Sequence, residues 1–280
     1  MALRILHNTT ALSAYRNLSV TQSRLGRSIE KLSSGLRIVR ASDDAAGLAI
    51  SEQMRADVRS MNQAVRNAND GISLLQTAEG ALNEVSGMLT RMRELAEQAA
   101  NGSLSTSQRA TLDQEFQALG SEITRIADTT EFNGTKLING ALSSGSAAAA
   151  TFQIGIGTTA NDRLSIGISA MQATSIGISA AAAISAMAFA RTALDLVDSA
   201  IANVAKQRGI MGAVQNRLER TIANLSISAE NLTAAESQIR DVDMAEEMAT
   251  FTKNQILTQA GTAMLAQANM IPQSVLTLLG

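Results

Sequence analysis

The chain has 280 residues, a formal net charge of −2, no cysteine, no tryptophan, one tyrosine, five phenylalanines and one proline. The absence of cysteine excludes disulfides, thiol catalysis and cysteine-ligated metals, and the near-neutral charge gives no general basis for nucleic-acid binding. So few aromatic side chains argue against a thick globular core, while a single proline leaves almost the whole chain free to be helical.

The first segment carries Leu18, Leu25 and Leu32 at intervals of seven, with Ile29 and Leu36 four residues after two of them. That spacing predicts an amphipathic helix, which Ser34-Gly35 interrupts. Ser42-Asp43-Asp44 supplies an N-cap with acids in the first turn of a second helix. Met61, Ala68, Leu75, Leu82 and Leu89 hold one heptad position in that helix, which is expected to stop at Asn101-Gly102. Ser105 with Gln108 fits a capping box, and the helix it starts carries Leu112, Phe116, Leu119, Ile123 and Ile126.

The texture then changes. Asn133-Gly134 and Asn139-Gly140 are turn dipeptides, and Gly, Ser and Ala dominate to about residue 183. Within that stretch residues 152–156 and 164–168 alternate in polarity and flank Thr158–Asp162, which predicts a short β-hairpin. The helical pattern resumes near Ala183. Val197, Val204, Met211, Leu218, Leu225, Leu232 and Ile239 then form one apolar seam at intervals of seven, as a long helix needs to keep one face on a partner.

Two long helical arms thus bracket a short loop-and-strand segment. Neither arm buries its stripe alone, so the arms are expected to pack on each other. Charge favours that pairing: residues 1–44 carry an excess of four positive charges, and residues 236–280 an excess of three negative ones. Single exposed ion pairs contribute only about 0–1 kcal/mol, but opposite fields favour one partner and one register. The expected fold class is mainly α, a long antiparallel helical bundle or coiled coil with a small β-hairpin near the middle of the chain.

The same residues carry a family likeness. Residues 32–37 (LSSGLR), 43–50 (DDAAGLAI), 66–73 (RNANDGIS), 76–82 (QTAEGAL) and 92–95 (MREL) closely resemble the N-terminal region of bacterial flagellin. Residues 212–217 (GAVQNR), 267–269 (QAN) and 272–276 (PQSVL) resemble its C-terminus. The likeness covers roughly residues 1–142 and 183–280. Two departures stand out: Leu6 occupies a position where the family commonly has Asn, and only about 40 residues separate the arms, so the variable outer domains of longer flagellins are missing.

The resemblance implies a short flagellin made of the family's inner and shaft layers, called D0 and D1. Residues 1–44 and 236–280 would form the terminal, inner-tube domain. Residues 45–235 would form the shaft, with the hairpin and loops at about 129–182. It implies a structural subunit that polymerises with copies of itself into the flagellar filament for motility, in an extracellular location. Export would run through the flagellar type III channel, with an export chaperone, a filament cap and hook-associated proteins as partners. Leu18, Leu25, Ile29, Leu32, Leu36, Ile256, Leu257, Leu265, Val275 and Leu276 are the expected inner-tube packing residues. The expected shaft core is Met61, Leu75, Leu82, Leu89, Leu112, Phe116, Leu119, Ile123, Val197, Val204, Met211, Leu218, Leu225 and Leu232. Arg91, Leu95 and Glu115 match flagellin positions recognised by the Toll-like flagellin receptor of vertebrates; the plainer reading is two solvated helix residues and one packed between helices.

Other chemistries fare worse. His7 is the only histidine, so no Ser/His/Asp constellation is available beyond that one imidazole. Asp43-Asp44, Asp241 with Asp243, and Glu246-Glu247 are read as helix-start and surface acids rather than metal ligands, and no cofactor is expected. The glycines of residues 154–157 lack the Lys-Ser/Thr of a phosphate loop. The twelve methionines are read as core filler. No apolar run approaches the roughly 18 residues of a membrane span, and residues 1–4 lead into no signal-peptide stretch. The alternatives to a filament subunit are a hook–filament junction protein, which shares the terminal helical plan, and a non-enzymatic helical adaptor rod; an enzyme is the most distant reading.

Overall fold

A computed structural model describes residues 8–143, 150–178 and 183–279, with side chains described as far as residue 270. His7 and Leu6 lie outside the described residues. Five long helices dominate: α1 (Thr9–Ser34), α2 (Ala45–Ala99), α3 (Thr106–Thr129), α4 (Met187–Arg240) and α5 (Met244–Leu279). Among the described residues, four short strands lie between α3 and α4: β1 (Glu131–Phe132), β2 (Thr135–Lys136), β3 (Ala150–Gln153) and β4 (Arg163–Ile166). The mainly helical class with a small central hairpin is thus what the chain adopts.

Local chemistry accounts for the breaks. Gly35 ends α1 in the left-handed conformation (φ 71°), donating to the Lys31 carbonyl, where a side chain would be strained. The Asp44 carboxylate accepts the Gly47 N–H at 2.9 Å and caps α2. At the other end of α2, Arg109 Nε donates to the Ala99 carbonyl at 2.9 Å, and its terminal nitrogen to the Asn101 carbonyl at 2.8 Å. The Ser105–Gln108 capping box opens α3 as predicted. Asp243 accepts the Ala245 N–H at 2.9 Å and opens α5.

The chain forms two compact units, one from residues 1–58 and 230–280, the other from residues 59–229. In the second unit, one apolar cluster joins α2, α3, α4 and the strand-and-loop segment, with Leu82, Leu89, Leu95, Ile123, Val197 and Leu218 fully buried. The exposed ion pairs Arg93–Asp198 at 2.7 Å and Glu79–Arg208 at 3.5 Å show that α2 and α4 run antiparallel. The two antiparallel sheets are β1–β2, turned by Asn133-Gly134, and β3–β4, in which Phe152 faces Leu164. Both turn residues have positive φ, 49° and 77°, the combination that a type I′ hairpin turn requires. The predicted hairpin is present, but β3 starts two residues earlier and ends at Gln153. The N–H groups of Ile154 and Gly155 both donate to the Asp162 carbonyl, so the ladder ends in a bulge. Asn67 of α2 donates to the Gln153 carbonyl at 2.9 Å and ties the hairpin to the helices.

Candidate assembly surface

The first unit is built on a pair of helices. Leu18 of α1 packs on Gly261 of α5, where an added Cβ would stand 3.1 Å from its Cδ1. Asn8 Nδ2 donates to the Ala268 carbonyl at 2.8 Å at one end of the pair. At the other end Leu36 and Asp241 form an antiparallel bridge, flanked by Arg37 N–H to the Arg240 carbonyl at 2.6 Å and Val242 N–H to the Gly35 carbonyl at 3.0 Å. The Arg37 guanidinium also donates to the Ile239 carbonyl.

Charge locks the same end. Arg240 is buried and pairs with Glu52 at 2.5 Å. Arg55 bridges Glu52 and Glu236, each at 3.3 Å. The Arg240 side chain is 10% exposed but that of Glu52 is 52% exposed, so water screens the acid and the pair contributes less than a fully buried one does. Asp43, in the loop between α1 and α2, is held below the ordinary carboxylate range. The Arg40 N–H does most of this, helped by the Val39 N–H and the charges of Lys31 and Arg27, against a smaller opposing desolvation.

Two helices cannot cover each other's apolar residues completely. Leu18 is buried, Leu25, Leu32, Leu36 and Leu265 are half-buried, and Ile29, Ile256 and Leu257 are exposed. Val275 and Leu276 lie within α5, but their side chains fall outside the described residues. Of sixteen exposed large apolar side chains among the described residues, ten stand on α1 and α5, including Tyr15 at 63% and Met264 at 64%. Leu18, Leu257, Gly261 and Met264 line an apolar groove of about 460 Å³ along the pair. An apolar surface of this kind marks an interaction site rather than a finished fold.

The expected shaft residues fall inside the second unit, except Leu232. Met61, Leu75, Leu82, Leu89, Phe116, Ile123, Val197, Val204, Met211, Leu218 and Leu225 are buried, whereas Leu112, Leu119 and Leu232 are half-buried. Arg91 on α2 pairs with Glu115 on α3 and with Glu94, both at 2.9 Å. Those bonds, Glu115 first, raise the affinity of the Arg91 guanidinium for its proton. Arg91 and Glu115 are exposed and Leu95 is completely buried. The Arg37, Arg240 and Glu52 clamp has no signature in the sequence, because its members are 15 to 203 residues apart and follow no period. Among the described residues no helix is long and apolar enough to cross a membrane.

Comparison with known proteins agrees with this architecture. Residues 5–143 match the family model for the bacterial flagellin N-terminal helical region, and residues 194–279 the model for its C-terminal helical region. The chain is 49% identical over 276 residues to the flagellin of Halalkalibacterium halodurans, covering 98% of this chain and 99% of that one. It is 50% identical over 305 residues to the flagellin of Bacillus subtilis, covering 99% and 100%. A solved Vibrio parahaemolyticus structure, described as that of a proposed flagellar hook-associated protein, aligns with a TM-score of 0.59 at 18% identity, over 71% of this chain and 100% of that one. That last likeness is one of fold alone, whereas the two flagellins match along nearly their entire length. The chain belongs to the bacterial flagellin family and is a structural subunit of the flagellar filament.

Proposed function

We propose that residues 1–44 and 236–280 form the inner tube of the filament and that residues 45–235 form its shaft. The observation that carries this reading is the concentration of exposed apolar side chains on α1 and α5. Apolar burial contributes roughly 25 cal/mol per Å² removed from water, so neighbouring copies that cover Ile29, Ile256, Leu257 and Met264 stabilise the polymer without any change to the second unit. The chain reaches the growing tip through the flagellar type III channel, handed over by an export chaperone and inserted beneath the filament cap, in a filament that starts on hook-associated proteins. The many helical, cysteine-free residues suit threading and refolding, since local helical contacts form fast.

Deleting residues 266–280 removes the last part of α5 and is expected to leave a helical monomer that adds to no filament. Circular dichroism and seeded growth under negative-stain microscopy check this; normal filaments from the truncated chain would sink the assignment of α5 to the tube.

A vertebrate Toll-like flagellin receptor is a further partner in this reading, at Arg91 and Glu115. Their mutual ion pair presents a fixed guanidinium on the surface, and Leu95, one turn along α2 from Arg91, is buried in the core of the second unit. Arg91→Ala is expected to lower receptor activation about tenfold, the equivalent of one modest interface contact of ~1.4 kcal/mol. Reporter-cell activation equal to that of the unsubstituted chain removes the receptor from the list of partners.

A further inference from the structure

Three Asn-Gly dipeptides occur in the chain, starting at residues 101, 133 and 139, and the structure gives each a different setting. Asn133 sits in the tight turn between β1 and β2 with φ 49°, held by the Phe132–Thr135 pairing on either side. Asn139 is half-buried, and a Cβ added to Gly140 would stand 3.0 Å from that of Ala170. Asn101-Gly102 stands exposed in the turn between α2 and α3. Beyond the chain neighbours of Gly102, nothing lies within 4 Å of where its Cβ would be. The backbone has room to rotate there, as glycine allows.

A cation is fixed on the main-chain amide that joins Asn101 to Gly102. Arg109 Nη2 donates to the Asn101 carbonyl at 2.8 Å, while its Nε donates to the Ala99 carbonyl at 2.9 Å. Two bonds thus hold the planar guanidinium in place. Positive charge on that oxygen stabilises negative charge in the amide, and so favours loss of the Gly102 N–H proton. The Gly102 N–H itself makes no hydrogen bond among the described residues. On the side-chain amide of Asn101, Oδ1 accepts the Ser103 N–H at 3.2 Å, which draws electrons from Cγ. The Asn139 side chain likewise accepts the Ala141 N–H at 3.0 Å. Among the described residues, however, no cation donates to the main-chain carbonyl of Asn139 or Asn133.

We propose that Asn101 is a site of spontaneous deamidation and isoaspartate formation, promoted by Arg109. Solvent hydroxide takes the Gly102 N–H proton and becomes water. The Gly102 nitrogen attacks Asn101 Cγ, so that an N–Cγ bond forms and the Cγ–Nδ2 bond breaks. Nδ2 leaves as ammonia with a proton from water, and a succinimide ring remains. Water then adds to either ring carbonyl and opens it to aspartate or isoaspartate; nothing is oxidised or reduced. Opening at the main-chain carbonyl gives isoaspartate, and the carboxylate so freed contains the oxygen that Arg109 already holds. The guanidinium therefore favours this product, since it exchanges a neutral acceptor for a charged one. The modified chain carries one more negative charge, and its main chain is longer by one carbon at the turn that joins α2 to α3.

Incubation of the full chain at mildly alkaline pH tests this, with digestion and mass spectrometry using electron-transfer fragmentation to separate isoaspartate from aspartate. Asn101 is expected to convert about tenfold faster than Asn133 or Asn139, mainly to isoaspartate. That is a smaller effect than one oxyanion donor has in an enzyme, because water competes at an exposed turn. In urea the three Asn-Gly pairs are expected to react at similar rates, so folding speeds Asn101 and slows the other two. Arg109→Gln is expected to slow Asn101 by about tenfold and leave Asn133 and Asn139 unchanged, with Arg109→Lys between. Equal rates at the three sites of the folded chain overturn the proposal. So does a folded rate for Asn101 at or below its rate in urea, a comparison that needs no variant and stands even where Arg109→Gln loosens the turn. An Arg109→Gln chain that keeps its helicity by circular dichroism and converts Asn101 as fast as before also overturns it, since Arg109 would then serve the turn alone.

Discussion

Asp162 closes the β3–β4 hairpin with its own side chain. Its Oδ2 accepts the Thr159 N–H at 3.0 Å and the Thr159 hydroxyl at 2.6 Å, and these bonds, the hydroxyl's first, lower the carboxyl's pKa. Gly155 makes the space: a Cβ there would stand 2.8 Å from Asp162 Cβ and closer still to its Oδ1. Gly155→Ala is therefore expected to lower stability by about 1–3 kcal/mol, as overpacking does, read as a fall in the thermal midpoint of the second unit. A folded-state pKa below the unfolded value means the clasp stabilises at neutral pH and weakens as pH falls through that lowered pKa; a midpoint for Gly155→Ala equal to that of the unsubstituted chain would falsify the role of the glycine. Sequence reading found the turn around Thr158–Asp162 from alternation and composition. It could not find the clasp, because nothing in the period of a strand says which loop carboxylate turns inward.

At the scale of the element, helix ends were the most legible feature. Gly35, Asp44 and Ser105 with Gln108 each act through backbone groups within four residues of themselves, so local chemistry suffices to place them. The heptad seam on α4 was legible for the same reason, since a period survives whatever it packs against. What the period does not contain is depth. Val197, Val204, Met211 and Leu218 are buried, Leu225 is at the margin at 9%, and Leu232 and Ile239 are half-buried. The gradient follows neighbours: α3, the loops and the hairpin join α2 and α4 around the first four positions and supply the third side of the core. Leu82→Ala on α2, at the centre of that cluster, is expected to cost about 2–5 kcal/mol through lost transfer energy and the cavity left behind. Denaturant unfolding followed at 222 nm measures it, and a loss below about 1 kcal/mol would mean the cluster collapses around the deleted side chain.

For the whole molecule, the amino-acid sequence by itself determined that this is a helical chain whose two ends belong together. Periodicity, caps and the opposite charge of the arms are local or additive properties, and the flagellin likeness spans both arms, as the matches to residues 5–143 and 194–279 show. Only the tertiary structure decided how the arms meet. The bridge of Leu36 with Asp241, the buried Arg240 on Glu52 and the seating of Leu18 on Gly261 join residues about 190 to 240 positions apart. A stripe states that a helix needs a partner. Which side chains are left exposed, unpaired or buried without a bond depends on how far that partner reaches, and that is fixed when the chain closes on itself.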